Sequence, residues 1–127
     1  MNILIGDIGN TLTKLCLVND MFKIIKEYNI ETQKIIKRKN LIKFLNPILN
    51  NDIKKKILFS CVVPKAYQKI NRFLKIRKYD VYEIKKLSLK ELIKIKIDKY
   101  NQLGSDRIAN AIGAYSLYKK NCLIIDF

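Results

Sequence analysis

Histidine is absent from the 127 residues. Its absence removes His-based metal sites, His general bases and Ser-His-Asp triads, so any chemistry must rest on carboxylates, lysines and arginines. No GxxxxGK[ST] and no GxGxxG run occurs around the 4 glycines, which leaves P-loop and Rossmann readings unsupported. The 3 cysteines, Cys16, Cys61 and Cys122, each sit in an apolar run and form no CxxC pair. An odd number without metal-like spacing argues for reduced, buried thiols in a reducing compartment. No apolar stretch approaches the roughly 20 residues of a membrane helix, and the N-terminus does not match a signal peptide. The chain therefore reads as soluble, with no membrane partner and the cytoplasm as its expected location. Internal repeats, low-complexity stretches and linkers are missing too, as expected of one domain.

Acidic residues are scarce: 11 Asp and Glu against 26 Lys and Arg give a net charge of +15. Basic domains bind phosphate backbones through this excess. Here the lysines are spread over nearly every segment, interleaved with Ile and Asn, as on a solvated face. A nucleic-acid-binding module is therefore only a minor alternative, and clustered basic and aromatic residues are not seen. A hydrophobic content of 49% with 29% charged residues is that of a globular chain.

Residues 2–8 read as a first strand, followed by a Gly9-Asn10 turn, since both residues tolerate positive φ. Leu12 to Val18 reads as a second strand, Asn19-Asp20 as a turn, and Phe22 to Tyr28 as a third strand of an antiparallel meander. Thr32 is placed to cap a helix with Ile35, Ile36, Leu41, Phe44 and Leu45 near helical period, and Pro47 lies near its end. Ile57 to Val63 is a continuous apolar run, as in a strand buried on both faces. Pro64 starts a helix with Tyr67, Ile70, Phe73 and Leu74 at helical spacing. A short strand is expected over Asp80 to Ile84, and an amphipathic turn or short helix over Leu87 to Leu92. Residues Ile93 to Ile97 alternate apolar and Lys. Ser105 caps a helix with Ile108, Ala111, Ile112, Tyr115 and Tyr118 on one stripe, and Cys122 to Ile125 begins another buried strand. Meander strands followed by alternating helices and strands predict an α/β, ribonuclease H-like (actin-like) domain.

Three constellations carry possible chemistry. In Asp7-Ile8-Gly9-Asn10-Thr11, followed by Leu12, Thr13 and Lys14, a carboxylate ends an apolar strand, where charge is costly unless paired. The turn exposes N–H groups that suit phosphate oxygens, the carboxylate suits water-mediated Mg²⁺, and the lysine adds positive charge. Residue by residue, a plain hairpin explains the stretch; the combination favours phosphate. Gly104-Ser105-Asp106-Arg107 is readable as a helix cap, or as a base beside an anion-binding partner. Ile124-Ile125-Asp126 repeats the strand-then-Asp pattern of residues 4–7.

Together these segments resemble the type III pantothenate kinases of the actin and sugar-kinase superfamily. The D-x-G-N-[TS]-x-x-K opening is matched by Asp7, Gly9, Asn10, Thr11 and Lys14. The S-x-V-x-P segment is similar to Ser60-Cys61-Val62-Val63-Pro64, and G-x-D-R is matched by Gly104, Asp106 and Arg107. Asp126-Phe127 fits the first two positions of D-[FL]-G-T-x-x-T. The resemblance implies ATP-dependent phosphorylation of pantothenate to 4'-phosphopantothenate, the first step of coenzyme A biosynthesis. It implies Asp106 as the catalytic base, with Gly104, Ser105, Asp106 and Arg107 holding the substrate. Residues 7–14 would bind the ATP phosphates, with Asp7 reaching Mg²⁺ through water and Asp126 near a monovalent cation, K⁺ or NH₄⁺. It further implies a homodimer in the full-length form.

Two departures stand out. Ile97 occupies the position where the family commonly has a substrate-contacting Tyr, with Tyr100 three residues on. The chain also stops before the G-T-x-x-T part of the last motif. Residues 1–120 are thus expected to be the N-terminal actin-like domain and 121–127 the first strand of a second, truncated one, with the isolated 127 residues inactive as a kinase. A non-catalytic pseudokinase or regulatory accessory relative is the alternative.

Overall fold

The computed structural model describes residues 1–126. Five strands form one sheet in the order β3-β2-β1-β4-β5. Strands β1 (Asn2–Ile8), β2 (Leu12–Val18) and β3 (Ile24–Glu31) make the antiparallel meander, while β4 (Ile53–Cys61) and β5 (Asp80–Glu83) add in parallel beyond β1. Parallel neighbours need crossovers, which α1 (Arg38–Leu49) and α2 (Pro64–Ile76) supply. A third helix, α3 (Ser105–Tyr118), follows β5 and its connecting loop.

Strand alternation sorts the side chains into two faces. Leu4 and Ile8 of β1, Leu15 and Leu17 of β2, and Ile57 and Phe59 of β4 join Leu41, Leu45 and Ile48 of α1 and Ile70, Phe73 and Leu74 of α2 in one core. Gly6 is on this face because a Cβ there would enter the Phe59 ring and come within 2.7 Å of Leu15 Cδ2. Phe59 in turn meets Tyr67 edge to face, 6.1 Å between centroids. On the opposite face Ile5 and Leu58 are exposed. A smaller cluster of Ile84, Leu89 and Ile108, flanked by Ile93, Ile95 and Leu103, ties α3 to the end of β5.

Several local expectations are corrected. The third strand starts at Ile24 rather than Phe22, because Asn19 Oδ1 accepts the N–H groups of Met21 and Lys23 and Phe22 sits at φ 59°. The helix expected from Thr32 begins instead as a 3-10 turn, Thr32–Ile36, before α1, while Pro47 lies near the end of α1 as expected. β4 starts at Ile53, well before Ile57, its first half carrying the exposed Lys54, Lys55 and Lys56. Residues 87–97 form no helix or strand; a 3-10 turn occupies Ile84–Lys86. Gly104 is the cap of α3 and Ser105 its first helical residue. The stripe on α3 buries only Ile108 of its apolar members, with Tyr115 and Tyr118 exposed. Residues 122–125 are neither strand nor buried: with no strand alongside to pair with, Leu123 is 88% exposed. The thiols are less buried than expected, Cys16 and Cys61 being intermediate and Cys122 exposed.

Candidate functional site

The open face of the sheet carries the first group. In register across three strands, Lys14 of β2 lies opposite Asp7 of β1, and Asp7 opposite Ser60 of β4. Among the described residues the ion pairs are Met1–Asp52 and Lys34–Glu31, so Asp7 and Lys14 are committed to none. Ser60 Oγ is buried without a hydrogen-bond partner. These three residues line a cleft of about 510 Å³ together with Asp106 of α3 and Asp126. Four of the polar residues singled out in the sequence, from β1, β2, α3 and the chain end, thus converge on one cavity.

The turn between β1 and β2 contributes no lining to this cleft and is braced by hydrogen bonds. Gly9 N–H donates to Leu12 O at 3.0 Å, closing the hairpin, and Thr32 N–H donates to Thr11 O at 2.9 Å. The Thr32 hydroxyl donates to Gly9 O at 2.7 Å. A hydroxyl has one proton, so at the 2.9 Å contact between Thr13 Oγ1 and Thr32 Oγ1 it is Thr13 that donates. Thr32 is therefore a brace for the turn rather than a helix cap. The side chains of Ile8 and Thr13 are buried on the helix-covered face, away from the cleft, because their parity in β1 and β2 is opposite to that of Asp7 and Lys14. Gly9, Asn10, Thr11 and Leu12 form the turn, and Asn10 reaches the rim of a second cleft.

That second cleft, about 570 Å³, is lined by Gly104, Ser105, Asp106 and Arg107 together with Tyr67, Glu83, Lys85 and Lys86. Asp106 borders both cavities. Its carboxylate folds back over Gly104, whose absent side chain would occupy the place of Asp106 Oδ1. The same oxygen accepts the Arg107 N–H at 2.9 Å. The loop before α3 is held by Lys85, whose Nζ donates to Leu103 O at 2.6 Å and Asn101 O at 3.0 Å. Tyr100 packs against that lysine, with Lys85 Nζ 5.3 Å from its ring centroid. Ile97 is exposed in a separate hollow with Asp98 and Lys99.

The local field shows in two groups. Burial foremost, then the anions Glu83 and Asp7, push the Cys61 thiol up, against a Val63 N–H and Lys86 that pull it down. Burial likewise raises Tyr67, with Glu83 and Cys61 adding to the effect. Glu83, Lys85 and Lys86 belong to none of the motifs read in the sequence, and Tyr67 reads there only as an apolar helix position. For Glu83 a signal existed, since it follows the apolar pair Val81-Tyr82 at the end of the short strand expected there.

A five-stranded mixed sheet with three α-helices, gathering carboxylates and a lysine in a cleft between one sheet face and α3, defines a mixed α/β domain consistent with a kinase domain. The family model described as Type III pantothenate kinase matches residues 3–127, and the chain belongs to that family. A type III pantothenate kinase of Pelagibacter ubique (strain HTCC1062) is 45% identical over 126 residues, 98% of this chain and 50% of the relative. One of Fervidobacterium nodosum is 31% identical over 130 residues, 98% of this chain and 50% of the relative. A Kosmotoga olearia relative of the same description is also 31% identical, over 97% of this chain and 49% of its own length. The chain spans about half the length of the curated relatives it matches. Among the described residues, no helix is long and apolar enough to cross a membrane.

Proposed function

We propose that the protein carrying this chain transfers a phosphoryl group from ATP to pantothenate, yielding 4'-phosphopantothenate for coenzyme A synthesis. The observation that carries this reading is Asp106 in the wall between two clefts, one holding Asp7 and Lys14, the other Arg107. A base there faces an acceptor hydroxyl on one side and a phosphoryl donor on the other. The family match supports the same assignment.

Phosphoryl transfer demands positioning and charge stabilisation more than covalent chemistry. The Gly9–Leu12 turn and Lys14 bind the ATP phosphates. Asp106 takes the proton from the pantothenate hydroxyl, while Arg107 and the Gly104–Ser105 backbone hold that substrate. Mg²⁺ keeps most of its waters and needs few protein carboxylates beside the phosphates. The uncommitted carboxylate of Asp7 fits that demand, although among the described residues no three His, Cys, Asp or Glu side chains come close enough together to hold one metal ion. When bound, the ion would neutralise charge on the phosphate oxygens. Asp126 offers a monovalent cation a single carboxylate, and no step is routed through that ion.

The strand order β3-β2-β1-β4-β5, with an antiparallel meander and two parallel additions, supports a ribonuclease H-like assignment. In this reading residues 1–120 are an actin-like domain and 121–127 open a second one. Cytoplasmic location and a homodimer complete the proposal. The test is Asp106→Asn in the protein that carries this chain: turnover falls by about 10²–10⁴ while the KM for ATP stays nearly constant. Unchanged turnover would reduce Asp106 to a helix-end residue and end the assignment.

A further inference from the structure

Glu83 ends β5 and is only 7% exposed. A carboxylate so placed costs several kcal/mol unless it is hydrogen-bonded. Its side-chain partner is the Ser105 hydroxyl, itself 2% exposed, which donates to Glu83 Oε1. Hydrogen bonds to an ionised acceptor are roughly twice as strong as neutral ones. Ser105 is the first residue of α3 and stands between Gly104 and Asp106.

The other ties at this end of the helix are the two Lys85 bonds to the loop before it and the packing of Ile108 on Ile84 and Leu89. Ile108 is the other buried residue of α3, and its outer turns carry exposed Tyr115, Leu117 and Tyr118. The direction of the Asp106 carboxylate follows from the backbone beneath it, since it folds over Gly104 and accepts the Arg107 N–H. The bond from Glu83 pins that backbone to the sheet at the residue before Asp106. We infer that Glu83 is a positioning residue, setting the base through Ser105. The inference rests on the phosphoryl-transfer reading given above, in which Asp106 is that base.

Three variants test it in the protein that carries this chain. Glu83→Ala leaves the Ser105 hydroxyl unpaired and lets the helix start drift. Displacing a catalytic group by about 1 Å costs on the order of 10²-fold, so kcat falls roughly 10–100-fold. The KM for ATP stays within about twofold, because Asp7, Lys14 and the Gly9–Leu12 turn hang on β1 and β2 rather than on α3. Glu83→Gln, whose amide oxygen still accepts from Ser105, recovers most of kcat, and Ser105→Ala repeats the loss from the helix side. Hydrogen exchange on the same protein supplies a readout free of activity. Glu83→Ala speeds exchange at the first turn of α3 and leaves β1 and β4 protected, and Glu83→Gln restores it. A kcat unchanged in Glu83→Ala, or a loss that Glu83→Gln does not rescue, overturns the inference. If the wild type fails to phosphorylate pantothenate, the functional reading falls instead, and unaltered exchange at α3 alone then sinks the positioning role.

Discussion

Replacing Thr32 by Val removes one oxygen and keeps the shape, and the oxygen is shared by two partners. The buried Thr13 hydroxyl loses its acceptor at 2.9 Å, and Gly9 O loses its donor at 2.7 Å. A buried polar group left unpaired costs about 1–3 kcal/mol, and a lost donor to a partly buried carbonyl about 0.5–1.5 kcal/mol. The backbone bond from Thr32 N–H to Thr11 O survives the change. The expected loss is therefore about 2–3 kcal/mol, a large share of the 5–15 kcal/mol typical of a domain. Urea unfolding followed by the fluorescence of the 7 tyrosines measures it, since there is no tryptophan to dominate the signal. With a slope of about 1–3 kcal/mol per M, the midpoint falls by roughly 1 M at unchanged slope. Thr32→Ser keeps the oxygen and loses less than half as much. A Thr32→Val midpoint within about 0.2 M of wild type, or Thr32→Ser as damaging as Thr32→Val, would refute the brace.

Gly104 has φ −68°, open to any residue, yet a Cβ there takes the place of Asp106 Oδ1. Gly104→Ala should thus lower kcat tenfold or more while moving the urea midpoint little; equal activity would mean the carboxylate need not fold over residue 104. Cys61 and Cys16 are raised above the ordinary thiol value of 9.0, chiefly by burial, whereas Cys122 is exposed. Iodoacetamide at pH 8 should alkylate Cys122 first, with Cys61 lagging about tenfold, as peptide mass mapping would show. The linked stability has a fixed sign: a raised folded value favours the protonated thiol. The contribution is therefore complete below pH 9 and is lost as pH climbs through the folded values. Cys61→Ala should flatten that alkaline decline, and an unchanged slope would assign it to other groups.

The meander and the helix starting at Pro64 were legible because local rules govern them. β1 and β2 alternate around a Gly-Asn turn, and Pro64 sits where a missing N–H is harmless. Boundaries failed where a side chain captured the backbone, as Asn19 does before β3, or where charge masked a strand, as Lys54–Lys56 does in β4. Residues 93–97 alternate like a strand but join no strand of the sheet, and Ile93 and Ile95 pack on Ile84 and Leu89 instead. The site was legible wherever chemistry lies in short motifs, at Asp7, Lys14 and Asp106. Glu83 and Tyr67 reach the second cleft only through the parallel crossover, a placement that no short stretch of sequence encodes.

The two faces of the sheet have a genetic consequence. In β1 the residues that fold the chain, Leu4, Gly6 and Ile8, interleave with Ile5 and Asp7, which meet the open side. Substitution can therefore tune the exposed series without touching the packed one. Loss or gain of a single codon inside β1 has no such freedom, because it exchanges the two series past the point of change. Asp7 would then be driven towards Phe59 and the helices, and the packed residues would turn outward. Over this strand, diversification by point change is open, and diversification by length is closed.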